Sequence, residues 1–70
     1  MRVHLNDSSY LFELVSDLLR GGCVSRAVDE ATLEVVHPDA ETADEARTEL
    51  TFFLRAWQSR RPDVAVWLGS

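Results

Sequence analysis

The chain has no lysine and no isoleucine, one cysteine, two prolines and three glycines among its 70 residues. A single cysteine excludes an intramolecular disulfide. No CxxC, HxH or HExxH spacing joins Cys23, His4 and His37, so no metal site is expected either; a small buried thiol and two surface imidazoles near strand ends describe them. No cofactor is called for. Without lysine, seven arginines face twelve acids and the net charge is −5, which argues against nucleic acid as a partner. Lysine and most isoleucine codons are rich in A and T, so both absences point to a high-GC genome and a bacterial source. Long hydrophobic runs are missing as well. Asp7, Glu13 and Asp17 interrupt the only long apolar stretch, which excludes a secretory h-region or a membrane span there. The lone thiol fits a reducing compartment, and the cytoplasm is the expected location. Gly21-Gly22 and Gly69 do not form a phosphate loop.

What is present is the balance of a soluble folded domain, with 46% hydrophobic and 27% charged residues. Residues 1–70 form one domain. A chain of this size hides only about 60% of its unfolded surface, so its core is thin and self-association is the usual remedy.

Met1, Val3 and Leu5 alternate with Arg2, His4 and Asn6, the pattern of a strand with one buried face. Asn6-Asp7-Ser8-Ser9 is a turn and N-cap cluster, with Asp7 and Ser8 or Ser9 expected to cap the helix that follows. From Tyr10 to Arg20 the period becomes helical, with Leu11, Leu14, Val15 and Leu18 on one face, flanked by Tyr10, Phe12 and Leu19. That apolar arc covers roughly 200°, wider than the ~100° stripe of a one-sided helix. The helix should touch more than one neighbour. Gly21-Gly22 supplies its left-handed stop.

Residues 23–37 read as a hairpin, Cys23–Val28 and Thr32–His37, divided at Asp29-Glu30-Ala31. Two registers remain open. One buries Val24 and Val28; a one-residue slip turns them outward and pairs Arg26 with Glu34. Thr42 to Glu45 is a capping-box pattern, with Asp39 as a rival N-cap. Ala43, Ala46, Leu50, Phe53, Leu54 and Trp57 then recur at helical spacing, and Pro62 closes the helix. Val64, Val66 and Leu68 alternate with Ala65 and Trp67 in a last strand. Leu5, Leu11, Val15, Leu18, Leu33, Leu50, Phe53, Leu54, Val64 and Val66 are the expected core.

The order is β-α-β-β-α-β, the ferredoxin-like α+β plan: a four-stranded antiparallel sheet, strands one and three central, with two helices on one face. The rival is β-α-β-α-β with one long bent middle strand. On the plan's open face Trp67 should lie beside Val36, with Arg2, His4 and Glu34 nearby, and this surface is the expected homodimer interface. Arg2 and Glu34 would pair between copies at its rim. Phe52 lies about 150° from the buried stripe of the second helix and is a further contact candidate. The acids Asp39, Glu41, Asp44, Glu45 and Glu49 fit a solvated helix N-terminus.

Over nearly its whole length the layout resembles the small ferredoxin-like regulatory modules of the ACT type. The shared features are the element order, a length near seventy, and the polar Asn6-Asp7-Ser8-Ser9 loop between strand 1 and helix 1. In ACT domains that loop holds an acidic residue followed by a glycine and helps bind an amino acid at a dimer interface. Asp7 stands in the comparable place here, with Ser8-Ser9 instead of the glycine. The resemblance implies a small polar ligand at Asp7, Ser8 and Ser9. Function is therefore expected to be that of a non-enzymatic regulatory or interaction module that self-associates and senses a small polar ligand. The alternative is an accessory subunit that docks on a larger protein through helix 2, without a small ligand.

Overall fold

The computed structural model describes residues 1–69. Its elements are β1 (Arg2–Leu5), a 3-10 turn (Ser8–Tyr10), α1 (Leu11–Arg20), β2 (Val24–Asp29), β3 (Thr32–Val36), α2 (Ala43–Ser59) and β4 (Val66–Gly69). The four strands form one sheet in the order β2-β3-β1-β4, with every neighbouring pair antiparallel. This is the ferredoxin-like arrangement expected from the element order: β1 and β3 are central, β2 and β4 are the edges, and the chain is α+β. The long bent middle strand does not occur, because a turn at Asp29–Ala31 separates β2 from β3 and the Asp29 carboxylate accepts from Ala31 N–H at 2.9 Å.

The hairpin takes the register that pairs Arg26 with Glu34 and Val24 with Val36. Val3 pairs with Leu33 on β3 and with Leu68 on β4, which puts their side chains on the helix side. Both helices cover that face. The core is Val3, Leu5, Leu14, Leu18, Cys23, Leu33, Val35, Leu50, Leu54, Trp57 and Val64. Of the expected core, Leu11, Val15, Phe53 and Val66 are only partly buried, at its margin. The centre of α1 falls on Leu14 and Leu18 because its Asp17 flank is tied to the end of α2.

That tie is a connected polar cluster. Arg61 Nε donates to Glu13 at 2.6 Å and its NH2 donates to Asp17 at 3.1 Å. The same guanidinium lies 4.3 Å above the Trp57 ring. Trp57 Nε1 also donates to Asp17, at 2.9 Å, and Tyr10 meets the Trp57 ring edge-on at 6.2 Å. An arginine held by two carboxylates over an aromatic face is strongly oriented, so α1 and the C-terminal end of α2 are fixed together.

The helix ends follow local chemistry. Gly22, at φ 89°, takes the left-handed position, with Gly22 N–H to Leu19 C=O at 3.1 Å and Cys23 N–H to Leu18 C=O at 2.8 Å. Thr42 rather than Asp39 caps α2: its hydroxyl accepts from Glu45 N–H at 3.0 Å, while the Glu45 carboxylate reaches back to Glu41 N–H at 3.1 Å. Gln58 anchors the last strand, accepting from Val66 N–H at 2.7 Å and donating to the Val64 carbonyl. No helix of the described residues is long and apolar enough to cross a membrane.

Candidate functional site

The open sheet face is organised in rows. Arg26, Glu34, Arg2 and Gly69 form one; Thr32, His4 and Trp67 form the next. Val24 and Val36 pair beyond the first row, on the side away from Trp67. Trp67 is thus not beside Val36, because the charged row lies between them. Arg2 Nε is 3.5 Å from Glu34 Oε2, and the N-terminal ammonium is 3.7 Å from Oε1. This pairing lies within one chain, where the strand register makes the two residues neighbours. His4 stacks on Trp67 with ring centres 5.8 Å apart, and its Nδ1 is 3.2 Å from Thr32 Oγ1. The imidazole also lies so close over Gly69 that any Cβ there would collide with it. Trp67 keeps 48% exposure.

Asp7 caps the 3-10 turn ahead of α1 rather than α1 itself. Its Oδ1 accepts from Ser9 N–H at 3.0 Å and from Ser9 Oγ–H at 2.7 Å, while Tyr10 begins α1 without a side-chain cap. Among the described residues Ser8 makes no side-chain hydrogen bond. The Ser9 bonds hold the Asp7 carboxyl below the usual carboxylate range, and the Ala31 and Thr32 bonds do the same for Asp29. A depressed native pKa stabilises the fold above the unfolded value and is lost as pH falls through the native one. Urea midpoints should therefore fall below about pH 4. In the double variant Asp7→Ala, Asp29→Ala they should start lower at pH 7 and fall less on acidification; an unchanged acid limb would show that these bonds do not contribute.

The described residues contain no group of three or more His, Cys, Asp or Glu that could hold a metal ion. Burial pushes the Cys23 thiol up, with Glu49 adding to the effect, which disfavours the thiolate that nucleophiles and metal ligands use. His37 is not a surface imidazole: its side chain is 12% exposed and its Nε2 lies 2.8 Å from Glu49 Oε2, linking the end of β3 to α2.

The most exposed large apolar side chain stands on α1. Phe12 is 85% exposed and Leu19 64%. One helical flank runs from the half-buried Leu11 and Val15 to these two residues, and continues onto Ser25 and Ala27 of β2. A shallow groove of about 240 Å³ marks the junction. The outer edge of β2 has no strand beside it, and Val24 and Val28 are exposed along it. This is the outer part of the wide arc seen in the sequence: the sheet covers Leu14 and Leu18, Asp17 and Glu13 turn toward α2, and nothing among the described residues covers Phe12. Sequence periodicity placed Phe12 and Leu19 only at the flank of α1, since it cannot tell which side of a helix the second neighbour occupies.

A second groove, of about 280 Å³, runs along the opposite edge between α2 and β4. Arg47 and Arg55 stand over it and form no ion pair among the described residues. Phe52 is exposed, as expected, and sits on the far side of the same two arginines. No family model matches this chain, and neither the curated proteins nor the solved structures include a significant match to it.

Proposed function

We propose that this chain is a non-enzymatic interaction module that self-associates as a two-fold homodimer, with the Phe12–Leu19 flank of α1 and the free edge of β2 as the contact. The observation that carries the reading is Phe12, a phenylalanine 85% exposed beside an unpaired strand. Unpaired strand edges are aggregation hazards unless they are protected or used. An antiparallel pairing of β2 with its symmetry mate would close both edges and double the four-stranded sheet. It would also bring Phe12 and Leu19 of each copy against the other. A second copy suits this surface because Phe12, Val15, Ser16 and Leu19 on this flank of α1 carry no charge, although the whole chain carries −5. Arg26 of β2 also lines the groove and sets the one charge that the contact has to accommodate. The buried free thiol is compatible with a cytoplasmic module of this kind.

Two other readings are weaker. The open face, with Trp67, His4, Arg2, Glu34 and Val36, remains an alternative contact because Trp67 is half exposed. Its charged row is already paired internally, and its apolar groups are split. A small polar ligand at Asp7, Ser8 and Ser9 gains no support from a carboxylate oxygen already committed to Ser9.

Sedimentation over a hundredfold dilution tests the proposal. Wild type should be dimeric, Phe12→Glu and Leu19→Glu should be monomeric with unchanged circular dichroism, and Trp67→Ala should stay dimeric. A wild type that is monomeric throughout, or a Phe12→Glu dimer as tight as the parent, overturns it. Dissociation by Trp67→Ala alone would move the contact to the open face.

A further inference from the structure

We infer that the groove between α2 and β4 takes an extended acidic segment of a partner protein, added as a fifth strand along β4. The argument begins with the strand edge. Ala65 C=O turns inward to Asn6 N–H at 3.1 Å, so by alternation the polar backbone groups of Val66 and Leu68 turn outward. Gln58 occupies the Val66 N–H. The Val66 carbonyl and both backbone groups of Leu68 are left at the edge, without a hydrogen bond among the described residues. They are the donor and acceptors that an added strand requires.

The walls state the chemistry of the occupant. The floor is apolar, from Leu54, Val66 and Leu68. Of the polar groups above it, Gln58 is committed to the β4 entry and the Thr51 hydroxyl donates to the Arg47 carbonyl at 2.7 Å. Arg47 and Arg55 remain as free donors. Asp44, one turn before Arg47, makes no ion pair with it. Two uncommitted guanidinium groups in a chain of net charge −5 mark a place for carboxylates from outside. They also disfavour a second copy docking here edge to edge, since that would bring four arginines together.

Spacing adds specificity. Arg47 and Arg55 are eight positions apart on a helix, or about 12 Å along its axis. An extended strand covers about 13 Å in four residues. Carboxylates at positions i and i+4 would then meet the two arginines, with an apolar side chain at i+2 on the Leu54–Leu68 floor. Residues i+1 and i+3 would face the Trp67 side.

Fluorescence anisotropy with labelled synthetic peptides tests the inference on the intact protein. The probe Ser-Glu-Thr-Val-Thr-Glu-Ser should bind saturably, and more weakly as salt rises. Arg47→Gln and Arg55→Gln, both at solvent-exposed positions, should each weaken it tenfold or more without changing the thermal midpoint. A peptide with the two glutamates adjacent should bind at least tenfold more weakly, as should one N-methylated at the central valine, which removes the strand hydrogen bond. No saturable binding, or binding indifferent to either arginine, overturns the proposal. Equal binding of the N-methylated peptide would overturn strand addition, and glutarate competing as well as the peptide would reduce the site to one for small dicarboxylates. Retention of peptide binding by Phe12→Glu would separate this site from the homodimer contact.

Discussion

Trp57→Ala is expected to cost about 3–5 kcal/mol, enough to leave the domain largely unfolded or close to it. A chain of this length has a total stability of roughly 4–10 kcal/mol. Trp57 is the largest side chain completely removed from solvent. Its removal opens a cavity beneath both helices, and it also strips the surface on which the Arg61 guanidinium rests at 4.3 Å. Asp17 would lose the indole donor and keep its contacts with Arg61 and Arg20. Trp57→Phe is the milder variant: it keeps an aromatic ring under Arg61 but deletes the N–H and the rest of the five-membered ring. The lost hydrogen bond to Asp17 should alone cost about 1.5–3 kcal/mol, the range for a bond to a charged group. Urea unfolding followed by far-ultraviolet circular dichroism measures both. An alanine variant within 1 kcal/mol of wild type would mean that the α1–α2 junction does not depend on this ring.

Much of the architecture is legible in the sequence because it is written in local periods. Met1 to Asn6 alternate, Leu11 to Leu18 repeat at helical spacing, Thr42 and Glu45 mark an N-terminus, and Gly21-Gly22 marks an end. These signals depend on neighbours within a turn or two. The hairpin register was not legible, since Val24 and Val28 of β2 read equally well turned toward the core or away from it, beside Leu33 and Val35 of β3. Tertiary context decides it: β2 is an edge strand whose helix side is only partly covered, so small Ser25 and Ala27 suffice there while Val24 and Val28 stay exposed.

The polar constellations were the least legible. Arg61 stands 48 positions from Glu13 and 44 from Asp17, and nothing at the sequence level joins it to them. Once the fold is given, the link has a simple cause. The crossover lays α1 beside the C-terminal end of α2, and the arginine that closes the second helix falls among the acids of the first. Arg2 and Glu34 are the opposite case: both read as charged residues of one face, and the strand register makes them cross-strand neighbours, with Arg2 Nε 3.5 Å from Glu34 Oε2. The candidate contact moves away from Trp67 because His4 already stacks on it, whereas Phe12 has no covering group among the described residues.

Leu50→Ala carries the second large expected effect, about 2–5 kcal/mol. Leu50 is 1% exposed and lies on the α2 stripe with Leu54 and Trp57, one or two turns from each. Its side chain belongs to the same core cluster as Val3, Leu33 and Val35 of the central strands and Leu14 and Leu18 of α1. Truncation therefore opens a void in the core that the sheet and α1 share with α2, and a thin domain has few side chains able to shift into it. Phe52→Ala, two residues along and 67% exposed, is the matched control. A larger side chain is deleted there, yet the change should stay within about 0.5 kcal/mol because little of it leaves water on folding. Paired denaturant midpoints read the difference directly. Equal costs for the two variants, or a greater cost at Phe52, would show that α2 presents its other face to the sheet.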